Sequence, residues 1–394
     1  MAAPEKQTNN SAGLVVGVDA TNLRRGGGVT HLVALLGAAN PEKHGIDRVI
    51  VWGGKQTLAK LPNSSWLEKV NPVSLDCRFP RRIWWQKYQL SRAARDAQCD
   101  VLFVPGGSYA GSFKPIVTMS RNLLPFEWQE LYRYGKSLLM LRLLLLRFIQ
   151  TRSFRRADGV LFLTEYAKNS VQNVTGALAG DTAIIPHGIA PAFKSKPRTQ
   201  RAITECTESD PFRLLYVSII DVYKHQWKVV RAVNAIRQEG FPLALELVGP
   251  AYQPALNRLQ AAIRECDPEG VWIRYRGSVH HDALQDIYKN ADLGIFASSC
   301  ENMPNILLEK MAAGLPIACS IRGPMPEILG DAGVYFDPEN TEEIKEAVRE
   351  LISRPDLRTK KAEGGFSRAK KFTWKRCADQ TFAFLSTVAR VQGQ

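Results

Sequence analysis

Apolar residues along the chain gather into short, nearly continuous runs, separated by stretches in which they recur with a helical period. Runs of this kind predict strands covered on both faces, where neither face has to be polar. In the first half they are GLVVGVDA, with a strand expected from Leu14 to Val18, then DRVIVWG (47–53), CDVLFVPGG (99–107), PIVTMS (115–120), GVLFLT (159–164) and TAIIPHG (182–188). Helical patterns separate several of them, the first running from the glycine-rich RRGGGVTHL (24–32) to Leu36. Strands alternating with helices predict a doubly wound α/β domain.

From Phe193 to Pro211 the sequence is polar, with charge, Pro, Ser and Thr but no apolar period, as expected of an interdomain linker. The runs then resume with RLLYVSI (213–219), LALELVGP (243–250), VWIRYRG (271–277), LGIFASS (293–299), LPIACS (315–320) and GVYFD (333–337). Helical segments such as DALQDIYKN and EEIKEAVRELI lie between them, and WKRCADQTFAFLSTVARV reads as a closing amphipathic helix. The expected architecture is α/β: two doubly wound Rossmann-like domains facing across a cleft, residues 1–195 and 205–374. The closing helix, about 375–394, is expected to pack back on the first domain. Ligands of open α/β sheets bind outside the carboxyl ends of the strands, so chemistry is expected just after them.

Charge narrows the partners. The 394 residues carry a net charge of +14, which favours polyanions: nucleic acid, acidic lipid headgroups or phosphorylated ligands. No nucleic-acid-binding motif is recognised, so nucleic acid is not an expected partner. Seven scattered cysteines without a CxxC pair argue against zinc or a disulfide framework and fit a reducing compartment. No metal-ligand cluster is seen, and neither metal nor cofactor is expected. The N-terminal MAAPEKQTNNSAG has no apolar core, reads as a frayed tail rather than a secretory signal, and implies a cytoplasmic protein. Residues 131–157 contain seven Lys/Arg and no acid, and Arg142 and Arg147 interrupt their apolar run. The segment is too short and too charged to span a bilayer. It is either a basic amphipathic helix lying on anionic lipid, at the inner face of the cytoplasmic membrane, or an ordinary surface helix.

SSCENMPNILLEKMAAGLP, from Ser298 to Pro316, sets two acids, Glu301 and Glu309, into an otherwise core-like segment. Its expected helix runs from about Pro304, placed in the first turn where a missing N–H costs nothing, to Ala313, with Gly314 as the stop. Glu301 then lies at the strand–helix mouth and Glu309 further along the helix. Spacing alone allows a helix-start acid and a surface acid as readily as a ligand site.

This stretch resembles the E-x7-E segment of the family-4 (group 1) retaining glycosyltransferases, which have the GT-B fold. RGPMPEILGDAGVYFDPEN (322–340) is similar to the segment that follows it there, and YRGSVHHDALQDIYKNADLGIFASS to the one before. AIIPHGI (183–189), which contains His187, RLLYVSIIDVYKHQ and FTW (372–374) also match, so the resemblance covers most of 183–390 and is weaker in the N-terminal half. It implies transfer of a hexose from a nucleotide-diphosphate sugar, GDP-mannose or a UDP-hexose, to a saccharide or polyprenyl-linked saccharide, as in bacterial surface polysaccharide synthesis, with retention and without metal. It implies that Glu309 holds the ribose hydroxyls and Glu301 the transferred sugar. Asn302, Met303, Pro304 and Asn305 would border sugar and diphosphate, with Met303 and Asn305 as the N–H donors because Pro304 has none.

The phosphate side departs from the family pattern. Ser218 and Ile219 stand where a Gly-Arg pair is usual, while Lys224 keeps the lysine position. Lys224 is expected to stabilise the leaving diphosphate, with His225 either assisting when protonated or lying on the surface. In the first domain Gly27 and Gly28 either form a tight turn or allow the donor phosphates to approach the backbone. Arg121-Asn122, in VTMSRNLLPFE, replaces a usual His-Asp pair. These two residues and His187 are acceptor-side candidates, against ordinary loop residues. Two rivals share the resemblance: a GT-B sugar-nucleotide epimerase, and a membrane-associated binding protein without turnover.

Overall fold

In a computed structural model, residues 13–24, 26–280 and 282–392 are described. The polar tail before Gly13, Arg25 of the glycine loop and the last two residues fall outside this range. The runs of the first half form β1 (Leu14–Ala20), β2 (Ile46–Gly53), β3 (Leu67–Val70), β4 (Val101–Val104), β5 (Ile116–Met119), β6 (Gly159–Phe162) and β7 (Asp181–Ile184). They build one parallel sheet in the order β3-β2-β1-β4-β5-β6-β7. Those of the second half form β8 (Phe212–Val217), β9 (Leu243–Val248), β10 (Ile273–Tyr275), β11 (Leu293–Phe296), β12 (Ile317–Ser320) and β13 (Gly333–Phe336). Their sheet is also parallel, in the order β10-β9-β8-β11-β12-β13. Central strands such as β4, β5 and β11 are buried at every residue, which is why their apolar runs are continuous.

Helices α1 (Gly27–Gly37), α2 (Trp128–Tyr132), α3 (Leu138–Arg156) and α4 (Glu165–Thr175) belong to the first half. The second half contributes α5 (Gln226–Gln238), α6 (Asn305–Ala312) and α7 (Met325–Leu329), and α8 (Trp374–Gln392) closes the chain. Helix α8 lies against α1, β1 and β4 of the first sheet.

Two local differences from the sequence pattern have simple causes. Strand β3 is not expected from that pattern, because LEKV is a short edge strand half made of charged residues. The segment 193–211 is polar but strapped down. Arg198 bonds the Lys289 carbonyl and Asp292, Arg201 pairs with Asp210 and Asp292, and Arg358 donates to the Arg201 carbonyl.

Each sheet reverses direction of strand order between its first strand and a later neighbour, β1/β4 in one and β8/β11 in the other. The crevices at those points are where such sheets bind ligands. Here they are brought together. The Tyr134 hydroxyl donates to Asp221 (3.1 Å), and Arg133 pairs with Glu339. The Glu327 carboxylate in α7 accepts the N–H groups of Glu165 (2.9 Å) and Tyr166 (3.0 Å), at the start of α4.

Candidate active site

The site is assembled from the loops after β8 and β11. After β8 the chain turns through Ser218 to His225, and the Tyr216 hydroxyl donates to the Lys224 carbonyl (2.6 Å), fixing the backbone there. The Lys224 ammonium is buried and ion-paired with Glu301 from the loop after β11. It also lies 4.9 Å from the centre of the Tyr223 ring and 5.2 Å from that of Phe296. Lys224 and Glu301 both lie just past strands, β8 and β11, and pair at the carboxyl ends of that sheet. Ser218 is buried and donates to the Ile219 carbonyl (3.0 Å), whereas the Ile219 side chain is partly exposed.

His225 is not on the surface. It caps α5 in the left-handed conformation (φ 52°), is buried, and shares a hydrogen bond with the Ser299 hydroxyl (3.0 Å). Burial, with Arg133 adding to it, pushes its imidazole down to about 4, so it is neutral at neutral pH. Near pH 7 it therefore does not add a second positive charge beside Lys224.

Helix α6 starts one residue later than expected. Pro304 has an extended ψ of 100° and is the N-cap, so Asn305 is the first helical residue. The helix ends at Ala312, one residue before the expected Ala313, which is its C-cap, and Gly314 follows in the left-handed region at φ 68°. Glu309 is buried rather than a surface acid, and it accepts a hydrogen bond from the Tyr288 hydroxyl (3.0 Å). Burial raises its carboxyl to about 7 against the pull of Tyr288 and Lys310.

The loop between Glu301 and α6 reaches into the first half. The Asn302 carbonyl accepts from the Thr164 hydroxyl (3.0 Å) and its amide donates to Ser120 (3.3 Å). The Met303 sulfur accepts from the His187 N–H (3.1 Å). The side-chain oxygens of Asn302 and Asn305 have no partner among the described residues.

Opposite lies α1, whose first residues include Gly27 and Gly28. Arg121 donates to the Gly27 carbonyl (2.6 Å), and a Cβ on Gly28 would stand 3.3 Å from its guanidinium. Its Nε and Nη1 have no partner among the described residues. Burial lowers Arg121 to about 10, where it is still charged at neutral pH. His187 is buried, 4.9 Å from the His31 ring and 5.9 Å from Trp374 of α8. Burial, then Arg121, pushes His187 down to about 3, so it is neutral. Asn122 turns away into its own loop, where its side chain accepts the Leu124 N–H (3.1 Å).

The structure therefore brings together Lys224, Glu301, Asn302, Met303 and His187, and places Gly27, Gly28 and Arg121 beside one another. Sequence reasoning missed His31, Ser120, Thr164 and the buried Lys310 of α6. Ser120 and Thr164 directly follow the strands β5 and β6, a position that could have singled them out. Among the described residues no group of His, Cys, Asp or Glu could hold a metal ion.

Comparison with known proteins finds matches of three kinds: to families, to individual relatives and to solved structures. The family described as "Glycosyl transferases group 1" matches residues 211–354, and "Glycosyltransferase Family 4" matches residues 25–193. An O-antigen chain mannosyltransferase B of Escherichia coli is 33% identical over 110 residues, 28% of this chain and 29% of that protein. A GDP-mannose-dependent alpha-(1-6)-phosphatidylinositol dimannoside mannosyltransferase of Mycobacterium tuberculosis is 25% identical over 245 residues, 61% of each. The chain thus spans less than two thirds of the length of these curated relatives. Among solved structures, a sucrose-phosphate synthase of Thermosynechococcus elongatus superposes with a TM-score of 0.73 at 15% identity, covering 96% of this chain and 100% of that one. This last likeness concerns the fold.

Proposed function

The chain belongs to the group 1 glycosyltransferases, with the GT-B fold, and from that premise we propose that it moves a hexose from a nucleotide-diphosphate sugar to a saccharide or lipid-linked saccharide, with retention. The observation that carries this reading is the buried Lys224–Glu301 ion pair at the mouth of β8 and β11, with Glu309 on the adjoining helix. Lys224 faces the diphosphate, Glu301 the sugar, and Glu309 the ribose. The bond from the anomeric carbon to the diphosphate breaks, and the acceptor oxygen bonds that carbon on the same face. The acceptor proton passes to the leaving diphosphate oxygen, whose growing charge Lys224 stabilises. Arg121 and His187, across from this pair, orient the acceptor. Contact between the two halves excludes water. The mannosyl relatives support GDP-mannose as the donor over a UDP-hexose, and surface polysaccharide or glycolipid synthesis as the setting.

A separate observation supports peripheral contact with an anionic membrane. Leu138, Leu141, Leu145 and Phe148 of α3 are all more than half exposed and recur along one side of the helix, with exposed Arg142 and Arg152 among them. Exposed Trp128 and Tyr132 lie just before it. Arg147 is not part of the charged fringe, since it stacks on Trp128 and donates to the Pro125 carbonyl (2.9 Å). No helix of the described residues is long and apolar enough to cross a membrane.

Incubation with GDP-mannose, UDP-glucose and UDP-galactose, each with and without a polyprenyl-linked saccharide, tests the reading. Glycosylated product only when acceptor is present is the expected result. A donor altered without acceptor would make the protein an epimerase, and binding without any product would make it a binding protein.

A further inference from the structure

Lys310 is a charged group behind the ion pair to which the proposed chemistry assigns nothing. It sits beside Glu309 on α6, is wholly buried, and its ammonium has no hydrogen-bond partner among the described residues. Burying an ammonium without a partner is strongly unfavourable. Two aromatic rings compensate in part: the ammonium lies 5.4 Å from the centre of Tyr216 and 5.0 Å from that of Phe296. Phe296 is the ring that also carries Lys224, at 5.2 Å. Lys310 therefore stands behind the Lys224–Glu301 pair, with one phenyl ring common to both lysines. Gly294 leaves it room, because a Cβ there would come within 3.0 Å of the lysine stem.

The groups acting on Lys310 are Cys319 of β12, Glu309 of its own helix, Lys224 from the loop after β8 and Glu301 from the loop after β11. Burial is the largest influence and pushes Lys310 down to about 7; Cys319, Glu309 and Glu301 pull it up and Lys224 opposes them. At that balance a change of one nearby charge moves its protonation. Donor binding makes such a change. A diphosphate that engages Lys224 adds negative charge and draws the ammonium away from Glu301, which then lacks a cation. No arginine stands in the Ile219 position to supply one.

Resting on the donor-site reading above, we propose that Lys310 is a positioning residue that takes up a proton from solvent when a nucleoside diphosphate binds at Lys224, and whose charge then replaces Lys224 as the cation behind Glu301. The lysine does not touch the substrate. It supplies the cation behind Glu301 while Lys224 serves the phosphates.

Calorimetric titration of the full chain with GDP and with UDP, in PIPES and in Tris at the same pH, counts the protons exchanged on binding. At pH 7 the wild type should take up about half a proton more than Lys310→Met, because a group near 7 is half protonated before the ligand arrives. Lys310→Arg, already charged, should lose the uptake and keep nucleotide affinity within about threefold, while Lys310→Met should bind about tenfold more weakly. In the wild type alone the uptake should fade below about pH 6, where Lys310 is already protonated. Equal proton counts in the wild type and Lys310→Met, or an uptake in the wild type that ignores pH, would overturn the inference and leave the donor site standing. A wild type that binds neither nucleotide overturns both.

Discussion

Lys224 and Glu301, 77 residues apart in the chain, are ion-paired across the carboxyl ends of two adjacent strands, with little of either side chain reaching solvent. Removing Lys224 breaks this pair, and protonating Lys310 behind Glu301 replaces it only at the cost of charging a buried ammonium. Lys224→Met should therefore lower both stability, by about 3–5 kcal/mol, and turnover, by about 100- to 1000-fold. Denaturant unfolding and steady-state sugar transfer measure the two losses. A variant with wild-type turnover would remove Lys224 from the chemistry.

Glu309→Ala should weaken GDP or UDP binding by about 10- to 100-fold, the worth of hydrogen bonds to a buried carboxylate. Titration calorimetry reads this directly. Unchanged affinity would mean that the ribose lies elsewhere.

The buried lysine has its own signature in stability. Lys310 is lowered in the folded protein, so the unfolded chain binds a proton there that the folded one does not, from about pH 7 up to the ordinary lysine range. Folding stability contributed by this group is present above that range and is lost as pH falls toward 7. Lys310→Met should consequently be more stable than the wild type at pH 7, by on the order of a few kcal/mol, with the gain shrinking toward pH 10. Denaturant unfolding across that pH range measures it. A gain that stays constant with pH would show that Lys310 does not change protonation on unfolding.

Leu141→Ser, Leu145→Ser and Phe148→Ser together should reduce partitioning onto phosphatidylglycerol vesicles by at least about tenfold, at low and high salt alike. Arg142→Ser with Arg152→Ser should reduce it chiefly at low salt. Sedimentation with vesicles distinguishes the two. If neither set changes partitioning, α3 is an ordinary surface helix.

Glu327→Ala should cost only about 1 kcal/mol of stability, since Thr164 still caps α4 from within its own half. It should nevertheless increase the radius of gyration in solution scattering, because the Glu327 contact with α4 joins the two halves. A scattering curve identical to that of the wild type would deny the contact any part in closure.

The strands were readable because double-faced burial turns each into an apolar run, and only β3 escaped, its Glu68 and Lys69 being tolerable at an edge. Lys224 and Glu301 were each legible as residues just past strands, but their ion pair was not, because it joins two loops 77 residues apart. What pattern could not convey was the depth of the polar groups on α6. Glu309-Lys310 reads as a charged pair on a helix surface, yet α6 is covered almost all round, from Leu307 to Ala312. Nor does a histidine in the sequence announce that it is buried, as His31, His187 and His225 are. Such burial depends on partners distant in sequence, here Trp374 for the first two and Ser299 for the third.

The strap on the segment 193–211 decides where the second half can be cut free. Arg358 is wholly buried and commits its guanidinium to the carbonyls of Leu351, Ile352 and Arg201 and to the Gln200 side chain. A fragment begun at Pro211, where the strands resume, would leave part of that guanidinium unanswered and Asp292 without Arg198 and Arg201. Begun before Ser195, whose N–H bonds the Ala312 carbonyl at the end of α6, the fragment would retain these ties. The boundary useful for dissection therefore lies upstream of the polar stretch, which travels with the second half as its selvage.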